Sequence, residues 1–342
     1  MFDSIALFEA LEAPTEESQS SRLLFATVPI PKWPTYHLGR TVNGEPALLI
    51  ETRKGAAQVP PPLRLQSLAV YHDATCRLWS RDKGFEERVY TVLWSTSSDP
   101  LIRRYFLQLL TPLVIALGKS PTSERVFETV DGLAELFRAL GRPPRRSTQG
   151  LWAELLLISI ALDPIAVARV WHRDPNERFD FNAGDQRVEV KSASGTRKHH
   201  FSLSQLDSPP GVRIVIASLI AVRATGGLSV ESVLNRVQAR IAADPELQSR
   251  VYRVIAETLG ASLPVALNEA FDEQTACESL RYFKADDIPT VGRPLPPAVS
   301  DVRFVADLSS VGAIEPERLR GSGGLFQALV AVSGSYNSLA EF

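Results

Sequence analysis

The sequence predicts an α/β protein, α+β overall, in which a small β-rich N-terminal domain and a helical connection precede a mixed sheet flanked by helices. Three observations carry this. Short β-branched and aromatic runs, broken by prolines and Asn43-Gly44, fill the first hundred residues. Apolar residues recur at helical spacing from 101 to 140. After residue 149, helical and strand-like stretches mix, and the longest apolar strand run lies at 212–222. At 342 residues the chain exceeds an ordinary single domain. Divisions are expected at 1–98 (β-rich domain), 99–146 (helical linker), 147–275 (α/β core) and 276–342 (C-terminal extension).

Taken in order, residues 1–13 suit a short amphipathic helix and 14–21 a polar linker. Strands are expected at 23–28, 47–52, 63–71 and 85–94, separated by Pro29, Pro31, Pro34 and the run Pro60-Pro61-Pro62. Leu101, Tyr105, Leu109, Val114 and Leu117 mark a helix that Pro112 should kink or divide. Val126, Phe127, Val130, Leu133, Leu136 and Phe137 mark a second over 123–140. A helix over 149–162, ended by Asp163-Pro164, leads to strands at 167–171, 178–181 and 187–192. Gly195 opens a loop carrying Arg197, Lys198, His199 and His200, and Leu203 and Leu206 suggest a helical turn. The apolar run 212–222 suits a doubly covered strand. Ser229 is a good N-cap for a helix reaching 241. A helical pair at 245–260 and 263–271, strands at 279–284 and 302–308, and a Gly/Ser-rich end after Arg320 complete the chain.

The composition, 44% apolar and 22% charged with a net charge of −2, is that of an ordinary globular protein. It excludes nucleic-acid binding by overall basicity, so any such contact must come from a local patch. Cys76 and Cys277 match neither a zinc spacing nor a disulfide framework, and read as buried thiols of a reducing compartment. The N-terminal residues lack a signal-peptide pattern, and the most apolar runs are too short to span a bilayer. A cytoplasmic location without membrane association is expected.

The chemistry centres on Arg187-Val188-Glu189-Val190-Lys191-Ser192, where Glu189 and Lys191 share one strand face about 7 Å apart. If 179–182 pairs with 187–191 around a four-residue loop, Asp180 lies opposite Glu189, with Cβ atoms roughly 5 Å apart. Any even loop length keeps both on one face. Glu154, in an apolar helical stretch, adds a third carboxylate. Carboxylates so close repel one another unless one is protonated or a cation intervenes. Hard oxygen donors suit Mg²⁺ or Mn²⁺, which accept phosphate oxygens and activate water. Lys191 beside them would orient that water and offset charge on the phosphorus. The chemistry implied is metal-assisted hydrolysis of a phosphodiester.

Glu154, Asp180 and Glu189-Val190-Lys191 follow the order and context of the PD-(D/E)XK nuclease superfamily, the restriction-endonuclease-like fold, which the chain resembles. Gly150-Leu151-Trp152-Ala153-Glu154-Leu155, Val188-Glu189-Val190-Lys191-Ser192 and His200-Phe201-Ser202-Leu203-Ser204-Gln205-Leu206 resemble an uncharacterised bacterial branch of PD-(D/E)XK motif proteins found in loci like those of restriction and phage defence. Phe179 stands where the motif's name has proline. The resemblance implies a Mg²⁺- or Mn²⁺-dependent deoxyribonuclease. Asp180, Glu189 and the Val190 carbonyl would hold the metal, Glu154 would touch it or its water, Lys191 would serve the nucleophile, and Gln205 would support the site.

Arg197, Lys198, His199, His200, Arg145 and Arg146 are the cations expected to meet phosphates. Asp174 and Asp185 are alternative metal acids, although each reads better as a turn residue. With no ATPase motif or base-reading motif in the sequence, DNA is expected to be delivered by a partner such as a helicase-like ATPase. The alternative is a nuclease-fold protein that assembles or binds nucleic acid without turnover. Oligomeric state is left open.

Overall fold

The computed structural model describes residues 2–14, 23–52, 58–80, 84–174, 177–292 and 294–330. The polar linker expected at 14–21 falls mostly outside the described residues, as does the chain's end after 330. The chain forms two compact units, Met1–Pro144 with Gln248–Pro264, and Arg145–Leu247 with Val265–Phe342.

The first unit is built on strands Leu23–Ile30, Trp33–Thr41, Pro46–Ile50, Gly84–Trp94 and Ala69–Ser80, paired in that order and antiparallel. Leu23–Ile30 also pairs in parallel with Ala69–Ser80. The ladder therefore closes on itself, and among the described residues the two-residue strand Leu63–Arg64, paired with Ala69–Ser80, is what stays at an edge. Phe25, Leu49, Val92 and Trp94 fill its core. Strand Trp33–Thr41 is absent from the sequence expectation because three prolines crowd its start. Pro34 sits between Trp33, paired with Ile30, and Tyr36, paired with Ile50, where neither ladder asks it for an N–H. Asp99 caps helix Pro100–Leu117 by accepting from Leu101 N at 2.8 Å. This helix runs through Pro112 without dividing. Among the described residues it is the one helix long and apolar enough to cross a membrane, and 56% of its apolar window is buried, as in a core helix. Helix Ser123–Ala139 follows as the periodicity predicts.

The second unit holds a four-stranded mixed sheet in the order Arg281–Lys284, Arg213–Ile220, Gln186–Ala193, Phe181–Ala183. The middle pair is parallel over eight residues, and the flanking pairs are antiparallel. Arg213–Ile220 takes the interior place its apolar run predicts, with Ile214 through Leu219 buried. Helix Thr148–Ile160 packs against Gln186–Ala193 and against helix Val230–Arg240. Ser147 caps its start and Ser229 caps Val230–Arg240. Residues 151–160 of Thr148–Ile160 are all buried, so this helix is covered on every side.

Two expectations are corrected here. Residues 167–171 do not form a strand: Asp163 accepts from Ala166 N at 2.9 Å, Pro164 takes the first helical position, and Pro164–Arg169 is a helix. Asp163-Pro164 thus starts a helix as well as ending one. Lys198–Ser202 is a strand, not a loop, paired with Arg303–Asp307. Its partner lies some hundred residues away in sequence, so no local pattern announces it.

Candidate metal centre

The hairpin Phe181–Ala183/Gln186–Ala193 pairs Phe181 with Val188, Asn182 with Arg187 and Ala183 with Gln186 around the two-residue turn Gly184-Asp185. Gly184 supplies the positive φ, +53°, that such a turn requires. The loop is shorter than expected but the register is the same, so Asp180 falls at the position facing Glu189. The ladder ends one residue earlier. Asp180 instead turns its carboxylate onto the neighbouring strand, where Oδ2 accepts from Val190 N at 2.7 Å.

On the other side, Trp171 bridges Phe181, His172 N donates to Asp180 O at 3.0 Å, and Asn182 N donates to Val170 O at 3.1 Å. This short antiparallel contact carries His172 next to Asp180. His172 holds a φ of +41°, a left-handed conformation uncommon for a non-glycine residue.

Glu154 projects from the buried helix into the same place. Its Oε2 accepts from Trp171 Nε1 at 2.7 Å and lies 2.7 Å from His172 Nε2. Arg146 Nη1 donates to Asp180 Oδ1 at 2.6 Å and approaches Glu154 Oε1 at 3.4 Å. On the strand, Lys191 Nζ is 2.8 Å from Glu189 Oε1 and 3.1 Å from Gln205 Oε1. Gln205 Nε2 also donates to Glu189 Oε1, so one amide ties acid and lysine together. Gln205 is placed by the turn Leu203–Leu206, whose start is closed by a capping box with Ser202.

Glu154, Asp180 and Glu189 are 4%, 2% and 5% exposed, so three buried carboxylates face two full cations, Arg146 and Lys191. Burial, then the nearby Asp180 charge, pushes the Glu189 carboxyl up to about 8 against the pull of Lys191. Burial and the Glu154 charge also raise Asp180, against His172, Arg146 and the Val190 N–H. Burial works the same way on Glu154, but the His172 hydrogen bond and charge, Arg146 and the Trp171 N–H outweigh it and leave it below the usual range.

The donor set fits a hard divalent cation. Glu189 Oε2 is buried and has no hydrogen-bond partner in the protein, an arrangement that costs free energy unless something positive reaches it. One ligand atom each from Glu154, His172 and Asp180 also lies within 4.8 Å of the others.

The structure brings Glu154, Asp180, Glu189, Lys191, Gln205 and Arg146 into one cluster. Arg197 and His199 lie elsewhere and point inward: Arg197 donates to Ser218 O, Ser218 Oγ and Ser279 O, and His199 Nε2 meets Ser218 Oγ at 2.8 Å. Lys198, His200 and Arg145 are exposed. Asp174 is exposed, and Asp185, in the hairpin turn, pairs with Arg213 at 2.9 Å. His172 and Trp171 are the site residues that sequence reasoning missed. Their one signal was position, a few residues ahead of the acidic hairpin, and a strand assignment to 167–171 concealed it.

No curated protein and no solved structure matches the chain. A family profile does match, over residues 5–309, and it is described as "Putative PD-(D/E)XK family member, (DUF4420)". The matched span takes in Glu154, Asp180, Glu189 and Lys191, and the chain belongs to this family.

Proposed function

We propose that this protein is a divalent-metal-dependent endonuclease subunit that hydrolyses phosphodiester bonds, with DNA as substrate and Mg²⁺ or Mn²⁺ as cofactor. The observation that carries the reading is the clustering of three buried carboxylates, of which Glu189 pairs with Lys191 and keeps one oxygen unpartnered. Asp180, Glu189, the Val190 carbonyl and Glu154 would hold the cation. A bound divalent ion would polarise the scissile phosphate and lower the pKa of the attacking water.

The protein's own groups do the rest. Lys191 spends two of its three ammonium N–H groups on Glu189 and Gln205. The third is available to orient the attacking water or to meet a phosphate oxygen. Gln205 fixes the angle at which Lys191 and Glu189 meet. Exposed Arg145, Lys198 and His200 are candidates to meet the nucleic-acid backbone, which gives affinity without sequence readout. With a net charge of −2, such contacts are weak alone. Delivery of DNA by a helicase-like ATPase in a restriction or phage-defence system is part of the proposal.

A second reading, a nuclease-fold module without turnover, is favoured by one observation: Arg146 already sits on Asp180 where a cation is wanted. The test is cleavage of linear and supercoiled DNA by the purified chain with Mg²⁺ or Mn²⁺, beside Lys191→Ala and Asp180→Ala. Cutting by the wild type alone supports the enzyme. Equal cutting by all three assigns the activity to another site or a contaminant, and no cutting, with Mn²⁺ left unbound in calorimetry, supports the module.

A further inference from the structure

We propose that Glu154, His172 and Asp180 form a divalent-cation site of mixed nitrogen and oxygen donors, and that the Arg146 guanidinium is the protein's own stand-in for that cation, displaced when metal binds. The inference rests on the metal-dependent reading above for the presence of a cation, and not for cleavage.

A single nitrogen, Arg146 Nη1, lies 2.6 Å from Asp180 Oδ1, 3.2 Å from His172 Nε2 and 3.4 Å from Glu154 Oε1. It meets the same three side chains that can place one ligand atom each within 4.8 Å of the others. An arginine satisfies this triangle badly. Glu154 Oε2, 2.7 Å from His172 Nε2, needs that nitrogen to donate, whereas Arg146 needs it to accept. One ring nitrogen does only one of these. A divalent cation removes the conflict, because it takes the Nε2 lone pair and both carboxylates at once.

The three ligands are anchored by the fold, and the arginine is held only by its side-chain contacts. Glu154 stands on a helix covered on every side, and Asp180 is pinned by the Val190 N–H. His172 keeps its left-handed backbone while its own N–H bonds Asp180 O, a strained pose of the kind found at functional sites. The Arg146 side chain is 38% exposed and comes from residues 141–147, which form neither helix nor strand, so it can swing to solvent without disturbing the core. The unpartnered Glu189 Oε2, with its residue 5% exposed, adds an oxygen in the same acidic cluster, and Glu189 sits close enough for Asp180 and Glu154 to repel its charge. An imidazole among carboxylates shifts preference from Mg²⁺ toward Mn²⁺ and later transition ions.

The test measures Mn²⁺ binding to the full chain without nucleic acid, by calorimetry and by the electron paramagnetic resonance signal of free Mn²⁺. Arg146→Gln and Arg146→Ala are expected to bind Mn²⁺ about tenfold or more tightly than wild type, because the plugged form no longer lowers the binding-competent fraction. His172→Gln is expected to weaken Mn²⁺ about tenfold and to narrow the preference for Mn²⁺ over Mg²⁺. Circular dichroism identifies any variant that fails to fold, and the Gln and Ala forms of Arg146 serve as mutual checks. Unchanged or weaker Mn²⁺ binding in both folded Arg146 variants overturns the plug, and unchanged binding in folded His172→Gln overturns the ligand set. A chain that shows these shifts yet cuts no DNA keeps the inference and loses the nuclease reading. One that cuts DNA without the shifts does the reverse.

Discussion

Asp180 Oδ2 accepts the backbone N–H of Val190 at 2.7 Å, so one oxygen of the carboxylate belongs to the fold while the other, on Arg146, belongs to the site. The two roles separate by substitution. Asp180→Asn keeps an oxygen for the Val190 N–H and removes the repulsion from Glu154 that raises the native carboxyl. Asp180→Ala leaves a buried N–H unpaired, at a cost of about 1–3 kcal/mol. Asp180→Asn also turns its amide N–H groups toward Arg146 Nη1, from which the native Oδ1 accepts at 2.6 Å, so thermal melts are expected to place it above Asp180→Ala, while both lose metal-dependent cleavage. An Ala variant as stable as the Asn variant would mean that the Val190 contact contributes nothing to folding.

Gln205 joins Glu189 to Lys191 through one amide, and its N–H favours the ionised form of Glu189. Gln205→Ala removes that support, so the Glu189 carboxyl should move further above its native position near 8. Because the carboxyl must ionise to hold a cation, the acidic limb of Mn²⁺ affinity against pH shifts to higher pH, and the loss of affinity relative to wild type is larger at pH 7 than at pH 9. A loss of equal size at every pH would make Gln205 a packing residue only.

How far the site was legible depended on whether its geometry was local. Asp180 opposite Glu189 follows from hairpin periodicity, which is indifferent to an even change in loop length, and the observed turn is two residues shorter than the one assumed. Glu154 stood out as a lone acid in an apolar helix. His172 did not, because its place depends on where helix Pro164–Arg169 ends and on a bridge to Phe181 that no short-range pattern encodes. Arg146 was legible as a cation and not as a partner of Asp180, since 34 residues separate them. The closed sheet of the first unit depends on a parallel pairing between strands some fifty residues apart, which alternation along a strand does not register.

His199 shows what the basic segment does for stability. Its ring is 2% exposed and bonds Ser218 Oγ at 2.8 Å. Burial, with Lys191 and Arg197 nearby, lowers its pKa to about 4 from the ordinary 6.5. The unfolded chain therefore takes up a proton below pH 6.5 that the folded chain refuses until about pH 4. Stability from the neutral ring is complete above pH 6.5 and is lost as pH falls toward 4, by up to about 1.4 kcal/mol per pH unit. His199→Gln keeps a polar group near Ser218 and has no proton to gain. Urea midpoints at pH 7.5, 6 and 5 should fall more steeply for wild type than for His199→Gln, so that any stability gap between them at pH 7.5 narrows by pH 5. Parallel lines across that range would show that His199 takes up its proton equally in the folded and unfolded chains.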